Sequence, residues 1–336
     1  MSKAMKVGMY YNNKDVRVEE MPIPKINSKE LLVKVIASGI CGSDVMEWYR
    51  IKKAPLVLGH EITGEIVKVG KKVKNYKKGD RVFVSHHVPC NTCKYCLDDK
   101  HTACETLHTT NYYPGGFAEY LRVPEINVDR GVYKLPDSMS YEEGTFIEPL
   151  ACVYRGQRKA GLKHGDSVLV LGSGISGLLH ISLAKASGAG KVTATDINDY
   201  RLGKALQLGA DRAINSKDYK PEKFDKVFLC TGAKSAIEQA LQSVDKGGVL
   251  EFFAPANQGV EVVIPVNDFW RNEVKVMTSY GAGPKDLETA ISLIHDNRVN
   301  VKDMISHMLS LKHIAEGFQL VAEAKESVKV IIYPND

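Results

Sequence analysis

The stretch Asp166-Ser167-Val168-Leu169-Val170-Leu171-Gly172-Ser173-Gly174-Ile175-Ser176-Gly177 joins a hydrophobic run to a glycine-rich one, and Leu178 to Ala186 then carries an apolar helical pattern. A G-x-G-x-x-G run says little alone. Between a strand and a helix it has the context its chemistry needs. The first glycine allows the tight turn, the second lets a pyrophosphate approach the backbone, and the third lets helix pack on strand. The helix N-terminus then faces the phosphates, which makes Gly172, Gly174, Ile175, Ser176 and Gly177 candidate dinucleotide contacts. A second strand, Lys191 to Thr195, ends at Asp196, nineteen residues after Gly177. A carboxylate there can accept hydrogen bonds from both ribose hydroxyls of NAD and would repel the 2′-phosphate of NADP. NAD is therefore expected over NADP, although Arg201 five residues on could soften the preference. The competing role for Asp196 is a cap on the helix that follows.

Outward from this unit the βα alternation continues. Lys226 to Cys230, Gly248 to Phe253 and Val274 to Ser279 read as strands, with Ser235 to Val244 helical between them. The order predicts an α/β fold with a doubly wound parallel sheet of the Rossmann type. Ligands bind at the carboxyl ends of such strands. Cys230, Thr231, Phe253 and Ala254 are thus candidates to line the nicotinamide side, or else plain strand-end packing residues. After Gly281-Ala282-Gly283-Pro284 the pattern turns helical over Leu287 to Ile294 and Ile314 to Ala322, then closes with a strand from Val328 to Tyr333. These segments are expected to return to the N-terminal domain. The expected division is 146–284 for the nucleotide domain and 1–145 with 285–336 for the other.

The first 145 residues hold short strands punctuated by Gly and Pro, at Lys6 to Val18, Leu31 to Ala37, Glu65 to Gly70, Asp80 to Val84 and Phe117 to Val123. They predict a small barrel-like β unit. Inside it lie Cys90, Cys93, Cys96 and Cys104. Four thiolates at this spacing can close a tetrahedral structural zinc site; an iron–sulfur cluster is the rival use of four cysteines. A second candidate joins Cys41 to His60 in Leu58-Gly59-His60-Glu61, with Glu61 or Glu148 as carboxylate. Thiolate, imidazole and carboxylate suit zinc. An open fourth position would make such an ion a Lewis acid.

The 336 residues suggest two domains, and 44% hydrophobic with 25% charged content is ordinary for a globular chain. No apolar run reaches the eighteen residues of a membrane span, and the N-terminus lacks a signal-peptide core. The net charge of +5 comes from scattered lysines, a solvated surface rather than a nucleic-acid stripe. Seven cysteines, an odd count without an export signal, point to reduced thiols and a cytoplasmic protein.

Taken together these residues resemble the zinc-dependent medium-chain dehydrogenase/reductase superfamily. Gly59-His60-Glu61-x-x-Gly64-x5-Gly70-x-x-Val73 matches its zinc alcohol dehydrogenase motif, and Gly39-Ile40-Cys41-Gly42-Ser43-Asp44 its first catalytic-zinc segment. Phe146-Ile147-Glu148-Pro149-Leu150 carries glutamate where classical alcohol dehydrogenases have a ligand cysteine, as the sorbitol and other polyol dehydrogenases do. The resemblance implies a discontinuous GroES-like β-barrel catalytic domain beside the Rossmann domain. It implies a catalytic zinc among Cys41, His60, Glu61 and Glu148, with Cys152 the alternative ligand, and a structural zinc on the four-cysteine lobe. Ser43 would take the hydroxyl proton and Asp44 would orient His60. The implied activity is hydride transfer between a secondary alcohol or polyol and NAD by a homodimer or homotetramer. Threonine and glucose-type dehydrogenases are alternatives within the family, and a non-catalytic dinucleotide-binding protein is the alternative outside it. Two departures stand out. Met46 occupies the position where many relatives finish a proton relay with histidine, and the segment between Trp48 and Pro55, beside the expected substrate cleft, is short.

Overall fold

Leu31–Ile40 is the spine of the N-terminal half, because Leu31, Val33, Val35 and Ala37 have no exposed surface and only a sheet interior satisfies so apolar a run. The structure is a computed structural model and describes residues 4–336. Of these, the residues up to Pro149 with Ala282–His295 and Ile305–Asp336 form one unit, and Leu150–Gly281 with Asp296–Met304 a second.

Strands are numbered along the chain. The first unit begins with β1 (Ala4–Asn12), β2 (Asp15–Pro22), β3 (Leu31–Ile40), β4 (Leu56–Val57), β5 (Glu61–Val69), β6 (Arg81–Val84), β7 (Tyr120–Val123) and β8 (Val132–Lys134). The second holds β9 (Ser167–Leu171), β10 (Lys191–Asp196), β11 (Arg212–Asn215), β12 (Phe224–Leu229), β13 (Val244–Phe252) and β14 (Lys275–Thr278). The chain then returns to the first with β15 (Ile305–Ser310) and β16 (Lys329–Tyr333). The alternation over Lys6 to Val18 resolves into a hairpin, β1 antiparallel to β2.

In the first unit β2-β1-β4 make a small sheet, and β15-β16-β3-β5-β6-β8 a larger one to which β7 adds on β3. β15 runs parallel to β16; every other pair in the larger sheet is antiparallel. β3 is the hub, since β5, β7 and β16 all pair with it. Val33, Val35, Ile62, Ile66, Val82, Val84 and Leu121 form one apolar cluster, and Met5, Val7, Tyr10, Phe117, Phe318 and Ile332 another.

The second unit is the expected α/β fold, a six-stranded parallel sheet in the order β11-β10-β9-β12-β13-β14. Strands are added outward in one sense from β9 to β11 and in the other from β12 to β14, which places the glycine-rich turn after β9 at the switch point. Gly172 has φ +90°, and a Cβ on Gly177 would run into the Gly172 carbonyl oxygen. Both positions therefore require glycine. Asp296–Met304, expected with the first unit, groups with the second. Val299, Val301 and Met304 are buried, and Arg298 and Asp303 join Ala186 and Lys204 through hydrogen bonds of 3.1 and 3.3 Å.

Candidate active site

β3 ends at Ile40 and the chain turns at once into a single 3-10 turn, Gly42–Val45. Cys41 caps it. Its sulfur accepts the Ser43 N–H at 3.5 Å, while the Asp44 carboxylate accepts the Cys41 N–H at 3.1 Å. This reciprocal pair fixes Cys41, Ser43 and Asp44 together. β5 opens at Glu61, directly opposite Gly39 across the ladder, so His60 stands at the mouth of the same strand pair. The result is a group in which one ligand atom each from Cys41, His60 and Glu61 lies within 4.8 Å of the others. The donor set fits zinc.

Asp44 is fully buried and faces His60 Nδ1 at 3.3 Å, which leaves Nε2 for an ion. Burial works against a charged His60, but Asp44 and Cys41 beside it outweigh burial and raise its pKa well above the ordinary value. Burial likewise opposes ionisation of Asp44. His60, Arg50 and the Cys41 N–H still hold its carboxyl below the usual range.

Two residues that the motifs did not name complete this site. The first is Lys329 in β16. Its ammonium is 0% exposed and pairs with Oε2 of Glu61, itself 1% exposed, which leaves Oε1 for an ion. The lysine also lies 5.3 Å from the Phe146 ring centroid. Register explains the meeting. Gly39 pairs with Ile331 on one side and with Glu61 on the other, and Lys329, two residues before Ile331 and so on the same face of β16, reaches diagonally past Gly39 to the acid. A Cβ on Gly39 would collide with the Glu61 carboxylate and come within 2.7 Å of Lys329 Nζ. That glycine keeps room for the ion pair. A lysine inside Val328-Lys329-Val330-Ile331-Ile332 was the available signal, since a charge in so apolar a strand must find a partner.

The second is Arg50. Its Nε donates to the Ser43 carbonyl at 2.9 Å and its Nη2 to Ser43 Oγ at 3.0 Å. The hydroxyl is thus held on one lone pair, and its own hydrogen is directed elsewhere. Tyr112, buried, donates to the Gly59 carbonyl at 3.1 Å. Burial, then the charges of Asp44, Glu148 and Glu61, push its phenol well above the usual pKa. Glu148 and Cys152 are the candidates for a further ligand. Both belong to the helix Ile147–Lys159, with Glu148 in its first turn. The Arg50 guanidinium lies over the Tyr49 ring, 4.7 Å from its centroid, and Trp48 lies 5.8 Å from Tyr49.

The four-cysteine lobe closes on itself. Cys90 and Cys93 sulfurs lie 3.9 and 3.6 Å from that of Cys96, and the Cys90 N–H donates to Cys104 sulfur at 3.4 Å. A tetrahedral zinc with Zn–S bonds of about 2.3 Å sets its sulfurs about 3.8 Å apart. The spacing fits one ion and is too tight to enclose a multi-iron cluster.

In the second unit Asp196 closes the nucleotide cradle. Its Oδ2 accepts the Ser173 N–H at 2.7 Å and its Oδ1 the Asn198 N–H at 2.9 Å. The cap of the next helix, Asp199–Gln207, is Asn198 rather than Asp196. Two lone-pair sites on the Asp196 carboxylate remain for ribose hydroxyls. The Arg201 guanidinium lies 3.7 Å from where a Gly174 Cβ would stand, above the phosphate-facing turn. Cys230 and Thr231 lie against Gly172, 3.1–3.2 Å from where a Cβ on it would stand. Phe253 and Ala254 both donate N–H groups to Leu229, and the Phe253 ring packs edge-on against buried His180 at 4.6 Å. Ile175 and Ser176 open the helix Ile175–Ala186. The glycine cradle fits a dinucleotide.

A nucleotide sheet with its cradle, together with a thiolate–imidazole–carboxylate group and a four-thiol lobe, defines a zinc-dependent dehydrogenase. Comparison with known proteins agrees. The alcohol dehydrogenase GroES-like domain family matches residues 27–137, and the zinc-binding dehydrogenase family residues 176–296. A sorbitol dehydrogenase of Bacillus subtilis (strain 168) is 31% identical over 354 residues, 98% of each chain. The crystal structure of 2R,3R-butanediol dehydrogenase from Bacillus subtilis superposes with a TM-score of 0.86 at 30% identity, over 98% of this chain and all of that one. A structure from Sinorhizobium meliloti 1021, described as a zinc-binding dehydrogenase bound to NADP, gives 0.88 at 26% identity over 99% of this chain and all of that one. The chain belongs to the zinc-dependent medium-chain dehydrogenase/reductase superfamily, in its sorbitol dehydrogenase-like branch.

Proposed function

We propose that this protein oxidises a secondary alcohol or polyol to the ketone, and reduces it back, with NAD as the hydride carrier. The observation that carries the reading is the convergence of Cys41, His60 and Glu61 within 4.8 Å, with the Ser43 hydroxyl two residues from the thiol. Cys41, His60 and Glu61 would hold the catalytic zinc, with Glu148 as the further ligand, and Cys90, Cys93, Cys96 and Cys104 the structural zinc. When bound, zinc supplies Lewis acidity and NAD the hydride acceptor. Asp44 holds the His60 ring. Ser43 hydrogen-bonds the substrate hydroxyl and moves its proton. Arg50 carries no acceptor and Met46 no titratable group, so the partly exposed Ser43 hydroxyl passes its own hydrogen to water as it takes that of the substrate. Among the described residues no helix is long and apolar enough to cross a membrane, and the free cysteines suit a reducing cytoplasm.

A panel of secondary alcohols, polyols and amino alcohols, assayed with NAD and with NADP, tests the reading. Polyol-dependent NADH formation is expected. Turnover of no alcohol would overturn it, and better use of NADP would overturn the coenzyme assignment that rests on Asp196. Ser43→Ala should lower kcat/KM by about 10²-fold or more with zinc content intact. Near-normal turnover would remove Ser43 from the proton path.

We also infer a homodimer formed through the second unit. β14 has no strand on its outer edge among the described residues, and Trp270, 80% exposed, flanks it on the short helix Val266–Arg271. A strand edge is self-complementary about a two-fold axis, which makes a second copy the natural cover. Trp270→Lys with Val276→Lys should give a monomer in light scattering; an unchanged mass would place the interface elsewhere.

A further inference from the structure

Beside the Cys41–His60–Glu61 group the acids are satisfied and the bases are not. Asp44 is shared among His60, Arg50 and the Cys41 N–H, and Glu61 is neutralised by Lys329. Arg50 uses Nε and Nη2 on Ser43 and Asp44, lies flat over Tyr49, and keeps its side chain 16% exposed. Its Nη1 has no hydrogen-bond partner among the described residues. A guanidinium whose Nε and Nη2 are held by hydrogen bonds, the latter 3.0 Å from the hydroxyl of Ser43, keeps Nη1 in a fixed orientation and is preorganised for an anion.

The surroundings reinforce this. His86 lies 5.0 Å from His60 and 3.8 Å from His87 between ring centroids. The loop carrying this pair is pinned by Asn127, which donates to the Ser85 and His86 carbonyls at 2.9 and 3.0 Å, and by Ser85 Oγ, which donates to the His87 carbonyl at 2.8 Å. Burial first, then the charges of His60, His108, Arg50 and Lys53, lower the His87 pKa to about 4. The chain carries a net charge of +5, which favours encounter with an anion.

We propose that the substrate is an anionic polyol, carrying a carboxylate or phosphate within a few carbons of the reacting hydroxyl, and that Arg50 binds this group through its open Nη1 edge, with Lys53 adding to the field at the rim. The proposal rests on the dehydrogenase reading above and narrows its substrate class. A carboxylate and a phosphate present the same acceptor pair to a guanidinium.

The test compares sorbitol, gluconate and sorbitol 6-phosphate as substrates of the zinc-loaded enzyme, and measures their binding to it by calorimetry. At least one anionic member should exceed sorbitol in kcat/KM by about tenfold or more, and which one does so separates carboxylate from phosphate. Arg50→Gln should reduce that anion-to-neutral ratio by about tenfold, chiefly through KM, and abolish the calorimetric advantage of the anion. Lys53→Gln, at an exposed position that does not threaten folding, should reduce the ratio by about two- to threefold and flatten its dependence on salt. If sorbitol is oxidised as well as either anion and the ratio is unmoved in both variants, the anionic substrate is excluded while the dehydrogenase reading stands. If none of the three is turned over, that earlier reading fails, and calorimetry still decides. Tighter binding of an anion that is lost in Arg50→Gln supports the anion site, and equal binding overturns it.

Discussion

Lys329→Met is expected to destabilise the first unit of the zinc-free protein by about 3–5 kcal/mol, because with no ion bound it leaves the Glu61 carboxylate buried without a counter-ion. Neither partner has access to water that could replace the lost charge, since both are at most 1% exposed. The effect should appear as a fall of about 10 °C in the thermal midpoint. The double variant Lys329→Met with Glu61→Gln removes both charges and should recover most of the loss, as replacing a buried pair outright is far cheaper than halving it. If single and double variants melt together, the pair does not hold these strands. Zinc content adds a second reading. Without the ammonium on Oε2, Glu61 has both oxygens for an ion, so the single variant should retain catalytic zinc at least as firmly as the parent chain.

Cys41→Ser is expected to lower kcat/KM by about 10³-fold or more, since the Lewis-acid contribution of a bound ion is worth several kcal/mol. The hydroxyl is the same shape but a poor soft donor. Zinc measured per chain should fall from two to about one, the remaining ion being held by the lobe of Cys90, Cys93, Cys96 and Cys104. The melting curve should move little, because Cys41 sits on a capped turn whose Asp44 contact to the Cys41 N–H does not use the sulfur. Retention of two zinc ions and full activity would exclude Cys41 as a ligand.

The parts of this protein that are written locally were the parts that could be read. The glycine turn after β9 lies within a dozen residues, and so do the four thiols of the lobe. Cys41 and His60 could be joined because each sits in a motif of its own. β11 and β15 escaped notice for a physical reason. Arg212–Asn215 is a short edge strand with no fully buried residue, and Ile305–Ser310 mixes polar and apolar positions, so neither shows a period. Lys329 escaped for a different reason. Its meaning depends on β16 docking antiparallel to β3, a register set 268 residues away from Glu61. Arg50 lies close in sequence to Ser43, yet its hydrogen bonds depend on the turns between them. A run of Trp48-Tyr49-Arg50 reads equally well as a solvated face.

The first unit is assembled from both ends of the sequence, and that arrangement sets an order of events at the ribosome. Glu61 is made early, and its ammonium partner 268 residues later. At about 5–20 residues per second, the acid waits about 10–50 s for Lys329 to emerge. In that interval β3 lacks its β16 neighbour, while the entire nucleotide sheet has been synthesised. The coenzyme site is therefore ready before the metal site has its last strand. For that interval a nascent chain carries the acid beside Cys41 and His60 without the ammonium that will bury it.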